Sequence, residues 1–160
     1  MVAALGGLDG ARVLDLYAGS GAVGLEALSR GAADAILIES DPGAAEVIRR
    51  NVTALGLRGA TVIKDRVGRA LRRGPAPLAP RDFAFADPPY ATGDAELGQV
   101  LATLAEAGWL ATGALVVVER DVRSGPPPWP GAYAEDRSRK YGETVLWYGR
   151  ASGAAPAAAD

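Results

Sequence analysis

Val13-Leu14-Asp15-Leu16-Tyr17-Ala18-Gly19-Ser20-Gly21-Ala22-Val23-Gly24 decides the fold. Residues 12–17 read as a strand that empties into a glycine turn. Residues 22–30 read as a helix, stopped by Gly31. A strand that feeds a helix through such a turn opens a βαβ unit. The chain continues in kind. The sequence predicts strands at 35–39, 60–64, 82–86 and 114–119. Helices are predicted from Pro42 to about Leu55, over 67–72 and over 94–107. Asp41 is placed as an N-cap with Pro42 in the first turn, and Gly56 as the stop. Loops fall at 74–80 and 124–131, and 132–139 with 144–148 make a final antiparallel pair. The fold class is therefore α/β and Rossmann-like, a mostly parallel seven-strand sheet closed by an antiparallel hairpin. Residues 1–150 form one domain, and 151–160, rich in alanine, a disordered tail.

Composition narrows the chemistry. The 160 residues suit one domain, which buries about two-thirds of its unfolded surface. Cysteine and histidine are absent, which excludes disulfides, thiolate nucleophiles, imidazole bases and the usual zinc sites. No metal is expected. No leader-like segment or apolar run of membrane-spanning length occurs, so a cytoplasmic protein without a membrane partner is expected. Net charge is −2, and of 17 basic residues only Lys64 and Lys140 are lysine. Arginine stacks on bases and grips phosphates, although a GC-rich genome explains most of such a bias.

Asp15, Glu39, Asp65, Asp87 and Glu119 all fall at or near the C-terminal ends of predicted strands. Those ends line the ligand crevice of an open α/β sheet. An acidic rim repels phosphates and suits hydroxyls, amines or positive charge. Gly19-Ser20-Gly21-Ala22-Val23-Gly24 matches G-x-G-x-x-G, and Glu39 follows Gly19 by 20 residues, as for a ribose. A nicotinamide dehydrogenase fits that motif too. Asp15 inside the strand end favours S-adenosylmethionine instead, because its carboxylate suits the methionine amine and opposes a pyrophosphate. Tyr17, Ala18, Gly19, Ser20, Gly21, Glu39 and Ser40 complete the expected cofactor set, with Asp65 and Arg66 near the adenine. Asp65 fits a helix N-cap equally well.

The second motif is Asp87-Pro88-Pro89-Tyr90, after the apolar run Phe83-Ala84-Phe85-Ala86. An exocyclic amine on guanine or adenine is a poor nucleophile, because its lone pair is delocalised into the ring. Two acceptors on its hydrogens favour a pyramidal nitrogen. Asp87 supplies one and the Pro88 carbonyl the other, its direction fixed by the tandem prolines. Tyr90 stacks on the base, which must leave its helix to enter. In-line methyl transfer then depends mainly on positioning.

With these residues assembled, the chain resembles the RsmD family of bacterial 16S ribosomal RNA guanine methyltransferases. The resemblance rests on Val13 to Ala32, Ile38-Glu39-Ser40-Asp41, the tetrapeptide, Gly108-Trp109-Leu110 and Lys140-Tyr141-Gly142-Glu143-Thr144. It covers about Leu8 to Tyr148. It implies methyl transfer to the guanine exocyclic amine of 16S rRNA, within a small ribosomal subunit or assembly intermediate. Family members carry a basic arm and a helix before the first strand, of which Met1 to Gly10 resembles only the end. Arg137, Arg139, Lys140 and Tyr141 are expected to contact RNA. The run Lys64, Arg66, Arg69, Arg72 and Arg73 reads equally well as a solvated face. Trp109, Trp129 and Trp147 are expected to pack. The alternatives are a DNA adenine amino-methyltransferase and a truncated, non-catalytic cofactor- or RNA-binding remnant.

Overall fold

The computed structural model describes residues 7–152. Its elements run β1 (Arg12–Leu16), α1 (Ala22–Ser29), β2 (Asp34–Glu39), α2 (Pro42–Leu55), β3 (Ala60–Lys64) and α3 (Val67–Arg72). They continue as β4 (Arg81–Ala86), α4 (Asp94–Glu106), β5 (Leu110–Asp121), β6 (Tyr133–Tyr141) and β7 (Thr144–Ala151). The seven strands form one sheet in the order β3-β2-β1-β4-β5-β7-β6. β1 to β5 are joined by parallel pairing, and β7 lies antiparallel between β5 and β6. The expected mostly parallel sheet and closing hairpin are both there. From β1 the chain moves outward to β2 and β3, then returns to lay β4 on the other side of β1. That reversal is the switch point where open α/β sheets hold ligands.

Both faces of the sheet are covered, which is why β1, β2 and β4 are almost continuously apolar. Leu14, Leu16, Ile36 and Ile38 pack with Leu71 of α3 and Leu97 and Leu101 of α4. On the opposite face Val13, Leu37, Phe83 and Phe85 pack with Leu25 of α1 and Ile48 of α2. Helix α1 lies tight on the sheet because Gly24 has no side chain. A Cβ there would sit 2.7 Å from Leu37 Cδ2, closer than carbon atoms pack. Asp41 caps α2 as expected, accepting from the Ala44 N–H at 2.8 Å, and Gly56 ends it in the left-handed region.

Arg81, only 1% exposed, sits at the N-terminal end of β4. Its guanidinium pairs with Asp34 and donates to the Ala79 carbonyl. Arg12 and Asp82 form a second pair, at 3.1 Å, at the same end. Sequence patterning gave neither pair a role, since a charge beside an apolar run reads as a strand boundary.

Three strands end two or more residues beyond expectation. β5 starts at Leu110 and ends at Asp121, longer than the predicted 114–119. Exposed Thr112 and Gly113 interrupt its apolar pattern, and a register shift against β4 between Arg81 and Phe83 absorbs the irregularity. β6 and β7 extend to Tyr141 and Ala151, joined by a turn whose Gly142 takes φ +60°. Exposed Lys140 and Tyr141 leave the end of β6 without an apolar pattern to mark it. Ala151 pairs with Tyr133, and Ser152 bonds back to the Ala132 carbonyl, so the strand enters the expected tail. Residues 153–160 lie outside the described residues, as do 1–6 of the stretch read as a helix end, while Gly7, Asp9 and Gly10 are in turns. No helix among the described residues is long and apolar enough to cross a membrane.

Trp109 is buried and donates from Nε1 to the Leu71 carbonyl at 2.8 Å. Trp129 lies over Gly149, where a Cβ would come within 2.8 Å of its ring, and against Tyr133. Trp147 is half-buried in β7. These positions agree with packing roles.

Candidate functional site

The C-terminal ends of β1, β2, β4 and β5 bring the acidic rim together. Asp15 points from β1 towards α1, where its Oδ2 accepts the Gly24 N–H at 2.9 Å. It is 2% exposed. Burial pushes its carboxyl up to about 7, the Gly24 N–H pulls it down, and Asp87 and Glu39 push it further up. Asp15 thus fastens the start of α1 to the sheet.

Glu39 ends β2 and reaches across to the glycine loop. Its Oε1 accepts the Gly19 N–H at 2.8 Å and its Oε2 the Asp41 N–H at 2.9 Å. The loop needs unusual backbone to make this turn. Gly19 and Gly21 take φ of +59° and +83°. Tyr17, at +57°, is the one non-glycine residue with positive φ among those described, a strained conformation of the kind concentrated at functional sites.

Two cavities open on this edge. One, of about 390 Å³, is lined by Tyr17, Glu39, Ser40 and Arg66, closed on its far side by Asp87 and Pro89. The other, of about 290 Å³, is lined by Asp87, Pro88, Pro89, Tyr90 and Glu119. The two share Asp87, Pro89 and Thr92. Asp87 and Pro89 of the tetrapeptide therefore form a partition that borders both chambers. Tyr90, 89% exposed, stands at the mouth of the second chamber.

Glu119 is the neighbour of Asp87 on the next strand. Ala86 of β4 pairs with Val118 of β5, so Asp87 and Glu119 are the following residues of parallel strands. Burial pushes the Glu119 carboxyl up to about 7, and hydrogen bonding and repulsion from Asp87 add to the rise. Arg120 also lines this chamber, but its guanidinium pairs with Asp94 and donates to the Gly125 and Pro126 carbonyls.

Of the residues expected from the sequence, Tyr17, Glu39, Ser40, Arg66 and the Asp87 to Tyr90 tetrapeptide line these cavities, and the others do not. Asp65 lines neither cavity and is not the cap of α3, whose N-cap position is Arg66. Its carboxylate is taken by Arg73 at 2.7 Å, with Arg69 at 3.7 Å, so part of the basic run after β3 is neutralised locally. Ala18, Gly19, Ser20 and Gly21 shape the loop without lining either cavity, and Asp15 is sealed beneath it. Arg137, Arg139, Lys140 and Tyr141 lie along exposed edge strand β6, outside both cavities. Arg137 stacks over Tyr148, 4.5 Å from the ring centroid. Sequence reading missed Val67, Gly68, Thr92 and Glu96 in the first chamber and Ser124 and Glu143 in the second. They come from loops and first turns, whose convergence no linear pattern records.

Comparison with known proteins agrees with this architecture. A family profile described as conserved hypothetical protein 95 matches residues 1–150. The Escherichia coli (strain K12) protein named ribosomal RNA small subunit methyltransferase D is 37% identical over 136 residues. The match covers 84% of this chain and 66% of that protein, so the chain spans just under two thirds of its curated relative. The solved structure of Escherichia coli yhhF superposes with a TM-score of 0.83 at 34% identity, over 92% of this chain and 81% of that one. An RNA methyltransferase from Salinibacter ruber, in complex with S-adenosyl-L-homocysteine, has a TM-score of 0.71 at 18% identity. It covers 98% of this chain and 92% of that one, a likeness of fold alone. With a matching profile over nearly its whole length and a relative of this identity, the chain belongs to the conserved hypothetical protein 95 family, the RsmD family that its motifs resemble.

Proposed function

We propose that this chain transfers a methyl group from S-adenosylmethionine to the exocyclic amine of a guanine in 16S ribosomal RNA, within a small ribosomal subunit or assembly intermediate in the cytoplasm. The observation that carries the reading is the partition: two chambers that both border Asp87 and Pro89. One chamber suits a cofactor and the other an acceptor base, with Asp87 within reach of both. The name of the Escherichia coli relative supports rRNA as the acceptor.

The first chamber fits the cofactor. Each Glu39 oxygen accepts one backbone N–H and keeps a further lone pair for a ribose hydroxyl. Arg66, Ser40 and Tyr17 border the space left for adenosine. S-adenosylmethionine, when bound, supplies an electrophilic methyl on its sulfonium. The remaining work belongs to the chain. Asp15 and Glu39 hold the glycine loop in place. Asp87 accepts one hydrogen of the target amine and the Pro88 carbonyl the other, leaving the nitrogen lone pair to face the cofactor's methyl. Tyr90 stacks on the base, contributing about 1–3 kcal/mol. Arg137, Arg139, Lys140 and Tyr141 along β6 contact the RNA, a binding that weakens with salt.

The test is incubation of the protein and S-adenosylmethionine with undermethylated small subunits, followed by mass-spectrometric mapping of methylated nucleotides. One N2-methylguanosine in 16S RNA is expected. Methylation confined to adenine, or none at all, sinks the reading.

A further inference from the structure

Glu119 has no role in the chemistry described so far, yet among the carboxylates of the acceptor chamber it is the one on the strand beside Asp87. We propose that Glu119 selects the base, accepting the N1–H of guanine while Asp87 accepts the adjacent amine. This rests on the acceptor reading of the second chamber and names what that chamber recognises.

Register comes first. Asp87 and Glu119 leave neighbouring parallel strands at the same level, where strands lie about 4.8 Å apart. Two acceptors side by side match two donors side by side. Guanine presents such a pair on its Watson–Crick edge, the ring N1–H next to the amine. Adenine presents an amine next to a bare N1 lone pair, which a carboxylate repels.

The state of Glu119 comes second. It is half-buried, and the group beside its carboxylate is Asp87, another acid. Arg120 on the same wall is committed elsewhere. A half-buried acceptor without a donor is costly. A guanine edge would supply the donors that the protein withholds. Glu119 lines the acceptor chamber and not the cofactor chamber, so its effect falls on base choice.

The test separates N1–H from the amine. Guanosine monophosphate and 2-aminopurine riboside monophosphate both carry the exocyclic amine, but 2-aminopurine has a lone pair at N1. Each is titrated into protein saturated with S-adenosylhomocysteine. The wild type should prefer guanosine monophosphate by roughly tenfold or more, the scale of one good base-edge contact. In E119Q, whose amide can donate to a bare N1, the preference should vanish or reverse. In E119A it should flatten without reversing. Both variants should retain S-adenosylhomocysteine affinity, which shows that they are folded. A preference unchanged in E119Q overturns the proposal. So does a wild type that does not distinguish the two nucleotides. Methyl transfer to undermethylated small subunits, measured on the same preparations, tells whether the acceptor reading falls with it.

Discussion

At the N-terminal end of the strands Asp34 and Asp82 face Arg81 and Arg12, whereas at the C-terminal end Asp87 and Glu119 face each other with no cation between them. The same residue types do different work at the two ends. Arg81 is sealed in, and each of its guanidinium nitrogens donates to Asp34 or to a backbone carbonyl. Asp87 is exposed, and the group beside its carboxylate is Glu119, another acid. Pairing at one end holds the strands in register. Leaving carboxylates without donors at the other end keeps acceptors available to a ligand. Between these extremes stand Asp15 and Glu39, which are at the ligand end but hold backbone N–H groups.

The comparison breaks most visibly at Asp87. Asp87→Ala should lower methyl transfer by roughly 10²–10³-fold, as loss of one transition-state contact does, and leave the melting temperature unchanged. A variant that unfolds, or that turns over at the wild-type rate, would erase the distinction between the two ends. Arg81→Ala should do the reverse. Removing a buried, paired guanidinium costs about 2–4 kcal/mol, a drop of order 5–15 °C in Tm for a domain this size. Turnover per folded molecule at low temperature should persist. Glu39 tests the middle ground. Glu39→Ala should weaken S-adenosylmethionine roughly tenfold to a hundredfold by calorimetry, since a charged acceptor is lost from both ligand and loop. Unchanged affinity would confine Glu39 to holding the loop.

The ligand end was far more legible in sequence than the opposite end, for a physical reason. A glycine loop must be glycine where φ is positive, as at Gly19 and Gly21, or where a helix lies flush on a strand, as at Gly24. The tandem prolines of the partition are similarly forced. Such constraints act between neighbours in the chain, so they leave a local pattern. The Arg81–Asp34 pair joins residues 47 apart, and neither has a periodic or motif context. Glu119 is intermediate. Its place at a strand end was visible, but its pairing with Asp87 depends on the β4–β5 register. Asp65 shows the opposite failure. It holds the expected position after β3, yet Arg73 and Arg69 claim its side chain.

The smallest expected effect sharpens the comparison most, because it concerns a carboxylate that belongs to neither extreme. Asp15 is buried with one N–H donor and no cation, and its carboxyl is raised to about 7 from an ordinary 3.8. Between about pH 4 and 7 the folded chain therefore holds a proton that the unfolded chain has released. Stability must fall as pH rises through that window and level off above it. Glu119, also raised to about 7, adds a slope of the same sign, so the wild-type curve alone does not separate them. Asp15→Asn keeps an oxygen for the Gly24 N–H and cannot ionise. Its melting temperature should decline less than that of the wild type between pH 5 and 7.5, the difference being the part due to Asp15. Parallel curves would mean that Asp15 is ionised throughout, with a donor or solvent path that its burial under α1 does not suggest. A divergence would show that the carboxylate end of the sheet is held together at a cost in stability that the paired end does not bear.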